Sequence, residues 1–325
     1  MFAVFKHSGA PDIPNMSPSP LRCLVFGGHG WIGQQLCAAL AVTGHTVIHA
    51  TVRADETAAV AVALDTVQPD RVICLVGRTH GPGFSTIDYL EQPGKLVENV
   101  RDNLYAPVSL ALLAAERGIH MTYMGTGCIF EYDATHGRFK EDDLPNFFGS
   151  SYSVVKGFTD RLMHLLPATV LNVRIRMPIV AAHHPRNFIT KITQYAKVCS
   201  VPNSMTVLPT LLPRLVTMVE AAAGGTVNLT NPGVITHNEI LEMYREIVDP
   251  NFRWENFSVE EQNKILASRR SNNELDTCQL EALFPTTPRI HEAVRSCLEA
   301  MRTSATACAS SAVTVSSEAP AVADV

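Results

Sequence analysis

Short apolar runs alternate with segments of helical spacing along most of the chain. The first apolar run lies at 22–26, breaks into glycines, and is followed by a helical pattern from Trp31. Four more apolar runs each follow a helical pattern, at 45–53, 69–77, 119–127 and 168–180. Alternation of strands and helices at this spacing predicts an α/β fold, a Rossmann-type doubly wound parallel sheet.

The pattern becomes irregular beyond the last of these runs. Loop, helix and short strand signals mix in 178–302, which predicts a smaller, irregular substrate-binding lobe over the carboxyl edge of the sheet. This lobe is expected to be discontinuous, because the apolar run at 226–230 predicts a strand that completes the Rossmann domain of 21–177. The compositions of 1–20 and 303–325 predict a disordered leader and a disordered tail.

Composition narrows the classes of function. The 325 residues are 46% hydrophobic and carry a net charge of −5, so the chain has no overall basic field for nucleic acid or an anionic membrane. No apolar run approaches the roughly 20 residues of a membrane span. The eight cysteines are scattered without a C-x-x-C pair. This distribution predicts reduced thiols in a cytoplasmic protein and no metal site.

A glycine-rich turn follows the first predicted strand. Gly27, Gly30 and Gly33 have the spacing at which backbone N–H groups can approach a pyrophosphate while the next helix sits close to the strand. Trp31 and Ile32, inside the same turn, are further candidate cofactor contacts. The position between a strand and a helix favours a dinucleotide site. A tight turn without a ligand is the alternative.

The second predicted strand indicates which dinucleotide binds. An NAD site usually has an acidic residue at the end of this strand, where the chain has Thr51, with Arg53 two residues later. A guanidinium without the carboxylate suits a 2′-phosphate, so we expect the domain to bind NADPH, with NADH less favoured. Arg53 as a surface arginine is the alternative. Asn103, one helical turn after Asn99, is either a cofactor contact or a hydrogen-bonding strut.

A candidate proton-transfer set follows. Tyr152 and Lys156 lie four residues apart on a predicted helix, and therefore on the same side of it. We expect the ammonium to lower the pKa of the phenol, so that the tyrosine can exchange a proton near neutral pH. Thr126 ends a predicted strand and offers a hydroxyl that could polarise a carbonyl. These residues predict a carbonyl reductase.

Longer strings in the chain resemble one family. They are GTGCIFEYD from Gly125, FKEDDLPNFFGSSYS from Phe139, RIRMPI from Arg174, PRNFITKIT from Pro185, PNSMTVL from Pro202, NPGVITHNEILEMYR from Asn231 and RSNNELDT from Arg270. With the glycine turn and the Tyr152–Lys156 pair, they resemble the nucleotide-rhamnose synthase/epimerase-reductase family. This family belongs to the extended short-chain dehydrogenase/reductases and is related to dTDP-4-dehydrorhamnose reductase. The resemblance covers about 21–300.

The resemblance implies a bifunctional enzyme. It would epimerise UDP- or dTDP-4-keto-6-deoxy-glucose at C3 and C5 and reduce C4 with NADPH, giving the nucleotide-L-rhamnose. Thr126, Tyr152 and Lys156 match the family's reductase triad, with the last two also contacting the cofactor. Cys128 and Lys191 match the pair implicated in epimerisation. Without the resemblance, Cys128 would be a small buried thiol and Lys191 a solvated helix lysine.

Other polar residues are candidate substrate contacts, although each could equally be structural. They are Arg78, Asn187, Asn203 and Arg270, together with Arg176 and His237. The expected partners are the nucleotide sugar, a separate 4,6-dehydratase that supplies it, and a second copy of the chain in a homodimer. Two alternative functions stay open at this point: a 4-reductase without epimerase activity, and a non-catalytic regulatory subunit that resembles the one of methionine adenosyltransferase.

Overall fold

The computed structural model describes residues 19–135 and 137–315. Most of the predicted leader, and the end of the predicted tail from 316, lie outside the described residues. Six parallel strands form one sheet in the order β2-β1-β3-β4-β5-β7, which confirms the predicted α/β architecture. Two short parallel strands, β6 and β8, pair in the second lobe. The strands are β1 Arg22–Phe26, β2 Thr46–His49, β3 Arg71–Cys74, β4 His120–Thr126, β5 Val170–Ile175, β6 Lys197–Val198, β7 Gly225–Asn228 and β8 Glu255–Asn256.

The order of the strands creates a crevice. From β1 the chain goes to β2 on one side and then returns to β3 on the other side of β1. Ligands of doubly wound sheets bind at such a reversal, outside the carboxyl ends of the strands. The glycine turn leaves β1 at this point, and the loop that begins at Leu75 leaves β3 beside it.

Helices cover both faces of the sheet. They are α1 Trp31–Val42, α2 Thr57–Val67, α3 Leu96–Val100, α4 Ala106–Glu116, α5 Ser151–Met163, α6 Phe188–Ile192, α7 Leu208–Glu220, α8 His237–Ile247, α9 Val259–Ile265, α10 Cys278–Leu283 and α11 Ile290–Val315. A 3-10 helix spans Ile87–Glu91. A π-helical turn at Arg101–Tyr105 joins α3 and α4.

Two apolar clusters hold the sheet. One packs β1 and β5 against α1 and α7, and the other packs the opposite face against α2 and α4. The predicted boundary at residue 178 assigned α7 to the second lobe, and the structure corrects this. Leu208, Leu211 and Leu215 of α7 are buried with Leu36 and Leu40 of α1, because the apolar stripe of α7 faces the sheet.

A third cluster forms the core of the second lobe, where α6 and α8 pack with the start of α11. Helix α8 begins with a capping box, in which the Thr236 hydroxyl accepts from Glu239 N and the Glu239 carboxylate accepts from Thr236 N. Helix α11 continues through 303–315, where the sequence predicted disorder. This stretch is rich in alanine, a strong helix former. No helix of the described part is long and apolar enough to cross a membrane.

Candidate active site

Strand β4 and helix α5 bring three of the predicted catalytic residues together. Thr126 is the last residue of β4, and its hydroxyl accepts a hydrogen bond of 3.1 Å from Cys128 N. Tyr152 lies in the first turn of α5, which the Ser150 side chain caps by accepting from Ser153 N. Tyr152 is buried in a cluster with Tyr89 and Leu90, and Cys128 packs against this cluster. Hydroxyl, thiol and phenol therefore meet at the carboxyl end of one strand.

The protonation of this group differs from the expectation. Burial raises the pKa of Tyr152, the charge of Cys128 raises it further, and a hydrogen bond with Thr126 opposes both. The ammonium of Lys156 donates to the hydroxyl of Tyr123 on β4, with Nζ 4.5 Å from the ring centroid. Burial lowers the pKa of Lys156 to about 8. The prediction that Lys156 lowers the pKa of Tyr152 is therefore wrong for this arrangement, because desolvation dominates.

A cavity of about 770 Å³ opens beside these residues. Cys128 and Tyr152 line it from the sheet, and Lys191 lines it from the second lobe. Much of the remaining wall is apolar, with Phe147, Phe188, Tyr195, Phe257, Ile265 and Leu266. This volume lies in the range of ligand pockets. Predicted reductase and epimerase residues thus face one space.

Lys191 is positioned by the short helix α6. Asn187 precedes the helix, and its side-chain oxygen accepts from Ile189 N. Lys191 Nζ lies 3.4 Å from the Ser85 carbonyl oxygen, in the loop that follows β3. Burial lowers the pKa of Lys191, and the nearby Arg186 guanidinium lowers it further. Lys191 is therefore not the solvated helix lysine that its sequence position alone would suggest.

Three predicted substrate contacts serve the scaffold instead. The Asn187 amide donates to the carbonyls of Val180 and Ala182. The Asn203 side-chain oxygen accepts from Arg176 Nη2 at 2.6 Å and from a backbone N–H. The buried Arg176 guanidinium also donates to the Gly127 carbonyl. Each of these side chains is buried, and its polar atoms already bond other protein groups.

The remaining predicted substrate contacts differ in their positions. Arg78 Nε donates to Asp102 at 2.5 Å, and Arg78 is not among the residues that line the cavity. Arg270 lines the cavity, but both of its terminal nitrogens bond the Asp88 carboxylate. His237 also lines the cavity, and burial lowers its pKa to about 4, so its imidazole is neutral near pH 7.

The glycine turn fits a pyrophosphate. Gly27 has a φ of +80°, a conformation that favours glycine, and a Cβ on Gly33 would lie 2.4 Å from the Gly27 carbonyl oxygen. Gly30 caps the start of α1. Trp31 and Ile32 pack against the core of the sheet, and the Trp31 ring also stacks on His184 at 5.1 Å. Only glycines allow the turn and helix to approach this closely, leaving the crevice open to phosphates.

The two other predicted cofactor residues lie beside this crevice. Arg53 is exposed, with Nη2 2.9 Å from Asp55 and 4.0 Å from Asp102. Asn103 is buried, and its side chain bonds the backbone N–H and carbonyl of Arg78 as well as Asn99. These contacts are those of a hydrogen-bonding strut, which was the alternative to a cofactor contact for Asn103.

The sequence interpretation missed three residues near the site, which are Tyr123, Arg186 and His80. Tyr123 accepts from Lys156, and its position in an apolar strand did not distinguish it from a core aromatic residue. Arg186 lines the cavity, and its guanidinium contacts the imidazole of His80. Arg186 directly precedes Asn187 in one of the family strings, and that was the only available signal. Within the described ranges, no three His, Cys, Asp or Glu side chains form a group that could hold a metal ion.

Known proteins resemble this chain over nearly all of its folded part. The RmlD substrate binding domain family matches residues 21–303. A protein of Acanthamoeba polyphaga mimivirus is 52% identical over 286 residues, which cover 87% of this chain and 99% of that protein. A bifunctional dTDP-4-dehydrorhamnose 3,5-epimerase/dTDP-4-dehydrorhamnose reductase of Arabidopsis thaliana is 40% identical, over 87% of this chain and 94% of that enzyme.

Solved structures agree with these sequence matches. The crystal structure of the mimivirus protein, described as a UDP-rhamnose synthase, has a TM-score of 0.85 and covers 87% of this chain and 100% of its own. A dTDP-4-dehydrorhamnose reductase of Bacillus anthracis in complex with NADP has a TM-score of 0.72 at 16% identity, covering 85% of this chain and 98% of its own. At that identity the second match supports the fold alone.

Proposed function

This chain belongs to the RmlD substrate-binding family, and from that premise we propose that it is a bifunctional 3,5-epimerase and NADPH-dependent 4-reductase. Its substrate would be UDP- or dTDP-4-keto-6-deoxy-glucose and its product the nucleotide-L-rhamnose. The observation that supports both activities is the common cavity, which Cys128 and Tyr152 line from the sheet and Lys191 lines from the second lobe. The 52% identity to a UDP-rhamnose synthase and the 40% identity to a bifunctional enzyme support the same assignment.

Epimerisation follows from the acidity of the keto sugar. Removing a proton from C3 or C5 gives an enolate whose charge lies on O4, and donors at O4 stabilise it. Thr126 and Tyr152 supply two hydroxyls at the end of β4. Inversion then requires that one group removes the proton and another delivers a proton to the opposite face. Cys128 and Lys191 are suited to these two roles, since they approach the cavity from different lobes.

Reduction uses the same donors. NADPH, when bound at the glycine turn, supplies the hydride that C4 accepts. Tyr152 then protonates O4, and the raised pKa of its phenol keeps it protonated at neutral pH. Lys156 lies one turn further along α5, and its proposed role is to contact the nicotinamide ribose. Its lowered pKa of about 8 leaves it mostly charged at pH 7.

The preference for NADPH rests on Arg53 and on the absence of an acidic residue at Thr51. The Arg53 guanidinium is exposed near the end of β2, where a 2′-phosphate would be expected. Arg53 forms an ion pair with Asp55, so binding of the 2′-phosphate would require that this pair rearranges. The Bacillus anthracis reductase that carries NADP has the same fold. The glycine turn of this chain supports a nicotinamide cofactor.

Proton exchange in deuterated water tests the epimerase. Incubation with UDP-4-keto-6-deoxy-glucose without NADPH should place deuterium at C3 and C5. Cys128→Ala should slow this exchange about 100-fold, in the usual range for a proton-transfer group. Cys278→Ala removes an exposed thiol that is not among the residues lining the cavity, and should leave the exchange unchanged. If the unaltered protein places no deuterium at C3 or C5, the protein is a 4-reductase without epimerase activity.

We also propose the expected partners. A 4-keto-6-deoxy sugar arises from a nucleotide hexose by dehydration, so a 4,6-dehydratase must supply the substrate. A homodimer is supported by apolar side chains on the outer surface of α5, where Phe158 is 62% and Leu162 39% exposed. Leu112 on the adjacent α4 is also exposed, at 49%. Exposed apolar patches of this kind commonly mark association sites.

A further inference from the structure

Four cationic side chains line the cavity, and they differ in whether they have a counter-ion. Arg270 pairs with Asp88 at 2.6 Å, and Lys197 lies 3.4 Å from Glu255. Arg186 and Lys191 have no carboxylate partner in the described part of the chain. Partly buried charges without a counter-ion are costly, so such sites are usually completed by a ligand of opposite charge.

Arg186 is held in a fixed position from the opposite lobe. Its Nη2 contacts His80 Nε2, and His80 lies in the loop that follows β3. Because a guanidinium can only donate, His80 must accept through Nε2 and carry its proton on Nδ1. That Nδ1 is buried and has no hydrogen-bond partner in the described structure. The contact therefore orients Arg186 without neutralising its charge.

The two uncompensated cations line the same cavity and are five residues apart in the chain. Burial lowers the pKa of Lys191, and the positive charge of Arg186 is the second cause of the shift. Burial and the charge of Arg186 also lower the pKa of His80, which keeps the imidazole neutral. This part of the cavity thus concentrates positive charge. An anion bound here would relieve both the repulsion and the cost of burial.

We propose that Arg186 binds the diphosphate of the nucleotide sugar, with Lys191 beside it and Arg270 excluded from this role by Asp88. This assignment rests on the proposed function and identifies a binding residue for the same site. The planar guanidinium can bond two phosphate oxygens at once, which makes it better suited than an ammonium. The diphosphate is attached to C1 of the sugar, so the adjacent Lys191 lies on the side of the sugar ring.

The same geometry explains how the two lobes would come together around a substrate. Arg186 belongs to the loop between β5 and α6, and His80 to the loop after β3. A diphosphate held by Arg186 would therefore be held through both loops. The sugar ring would be fixed at its C1 end, leaving C3, C4 and C5 toward Cys128 and Tyr152.

Calorimetric binding of UDP and of uridine to the full-length protein tests the proposal. Arg186→Met keeps the apolar stem and removes the charge, and should weaken UDP binding about 10- to 100-fold, as expected for a charge-assisted hydrogen bond. Uridine binding should change less than twofold. Arg253→Met is the matched control, since Arg253 is exposed outside the cavity and donates to the carbonyls of Pro250 and Phe252.

The outcomes separate this proposal from the proposed function. Three results would each overturn the role of Arg186. In the first, Arg186→Met binds UDP as well as the unaltered protein does. In the second, it loses affinity equally for UDP and uridine, and in the third, only Arg270→Met shows a UDP-specific loss. No UDP binding by the unaltered protein would instead contradict the substrate class, and this proposal with it. If Arg186→Met does not fold, the same binding measurements on Arg186→Lys test the proposal. This variant keeps the charge without the planar fork, so a UDP-specific loss of about threefold or more supports the proposal, and none contradicts it.

Discussion

Lys156 and Tyr152 lie on one side of α5, but their side chains have different partners. Lys156 donates to Tyr123. Tyr152 hydrogen-bonds Thr126 and lies in the cluster against which Cys128 packs. Burial acts on both groups in the direction of neutrality, raising one pKa and lowering the other. The tyrosine is therefore kept as a proton donor by its surroundings, and the lysine is a buried group whose charge is costly.

The stability of the protein should reflect this cost. The pKa of Lys156 is about 8 in the folded protein against 10.5 for the free side chain, so the unfolded chain binds more protons between these values. Stability from this group is therefore lowest below pH 8 and rises up to pH 10.5. Lys156→Met lacks this dependence. The free energy of unfolding of the variant minus that of the unaltered protein should therefore fall by on the order of 3 kcal/mol between pH 8 and pH 10.5.

Urea denaturation at intervals between pH 7 and pH 10 measures this difference. Using the difference cancels the titration of other buried groups such as Cys74, whose pKa burial raises to about 11. A difference that does not change with pH would mean that Lys156 is not desolvated in solution.

Arg53 should set the choice between the two nicotinamide cofactors. Replacing it in Arg53→Ala removes the cation proposed for the 2′-phosphate, so NADPH should bind about tenfold more weakly, consistent with one charge-assisted hydrogen bond. NADH binding should change little. Fluorescence titration with each cofactor measures both affinities. Equal losses for NADPH and NADH would contradict the role of Arg53, and Arg22→Ala, at the start of β1, serves as the control.

At the scale of elements, α5 is anchored to the sheet by a buried ion pair. Asp160 on α5 accepts from Arg174 Nε at 2.8 Å and from Arg174 Nη2 at 2.7 Å, and both side chains are buried. Arg174 lies on β5, the neighbour of the strand that ends in Thr126. The pair therefore fixes the helix that carries Tyr152 and Lys156 relative to Thr126.

Breaking this pair should be strongly destabilising. Asp160→Ala leaves the Arg174 guanidinium buried without a counter-ion, and should lower the free energy of unfolding by about 3–5 kcal/mol. Asp65→Ala is the control, because it breaks an exposed pair with Arg117 and should leave the urea midpoint unchanged. Similar midpoints for the two variants would mean that the buried pair does not anchor α5.

At the scale of the whole molecule, the site exists only where two lobes meet. The sheet supplies the glycine turn and the proton donors, and the second lobe supplies Lys191 and Arg186. The outer surface of α5 lies away from this cavity and exposes Phe158 and Leu162. Chemistry and proposed self-association therefore use different surfaces of the same helix.

The proposed homodimer can be tested through that outer surface. A Phe158→Glu, Leu162→Glu double variant places two charges in the apolar patch, and should convert the dimer to monomers of 35.4 kDa. Light scattering after size exclusion measures the mass. Val62→Glu is the control, since Val62 is 65% exposed on α2. A monomeric unaltered protein would contradict the proposal directly, and a dimer that survives the double variant would place its interface elsewhere.

The sequence by itself determined the parallel sheet, the glycine turn at its first strand and the position of Thr126 at the end of a strand. These features follow from local patterns: the periodicity of apolar residues, the conformational freedom of Gly27, and the position of Thr126 at a strand end. Only the tertiary structure decided which charges are available to a ligand. Arg270 is neutralised by Asp88, 182 residues away, while Arg186 meets only a neutral imidazole in the described structure. Such pairings depend on how distant loops dock, and no local pattern specifies that.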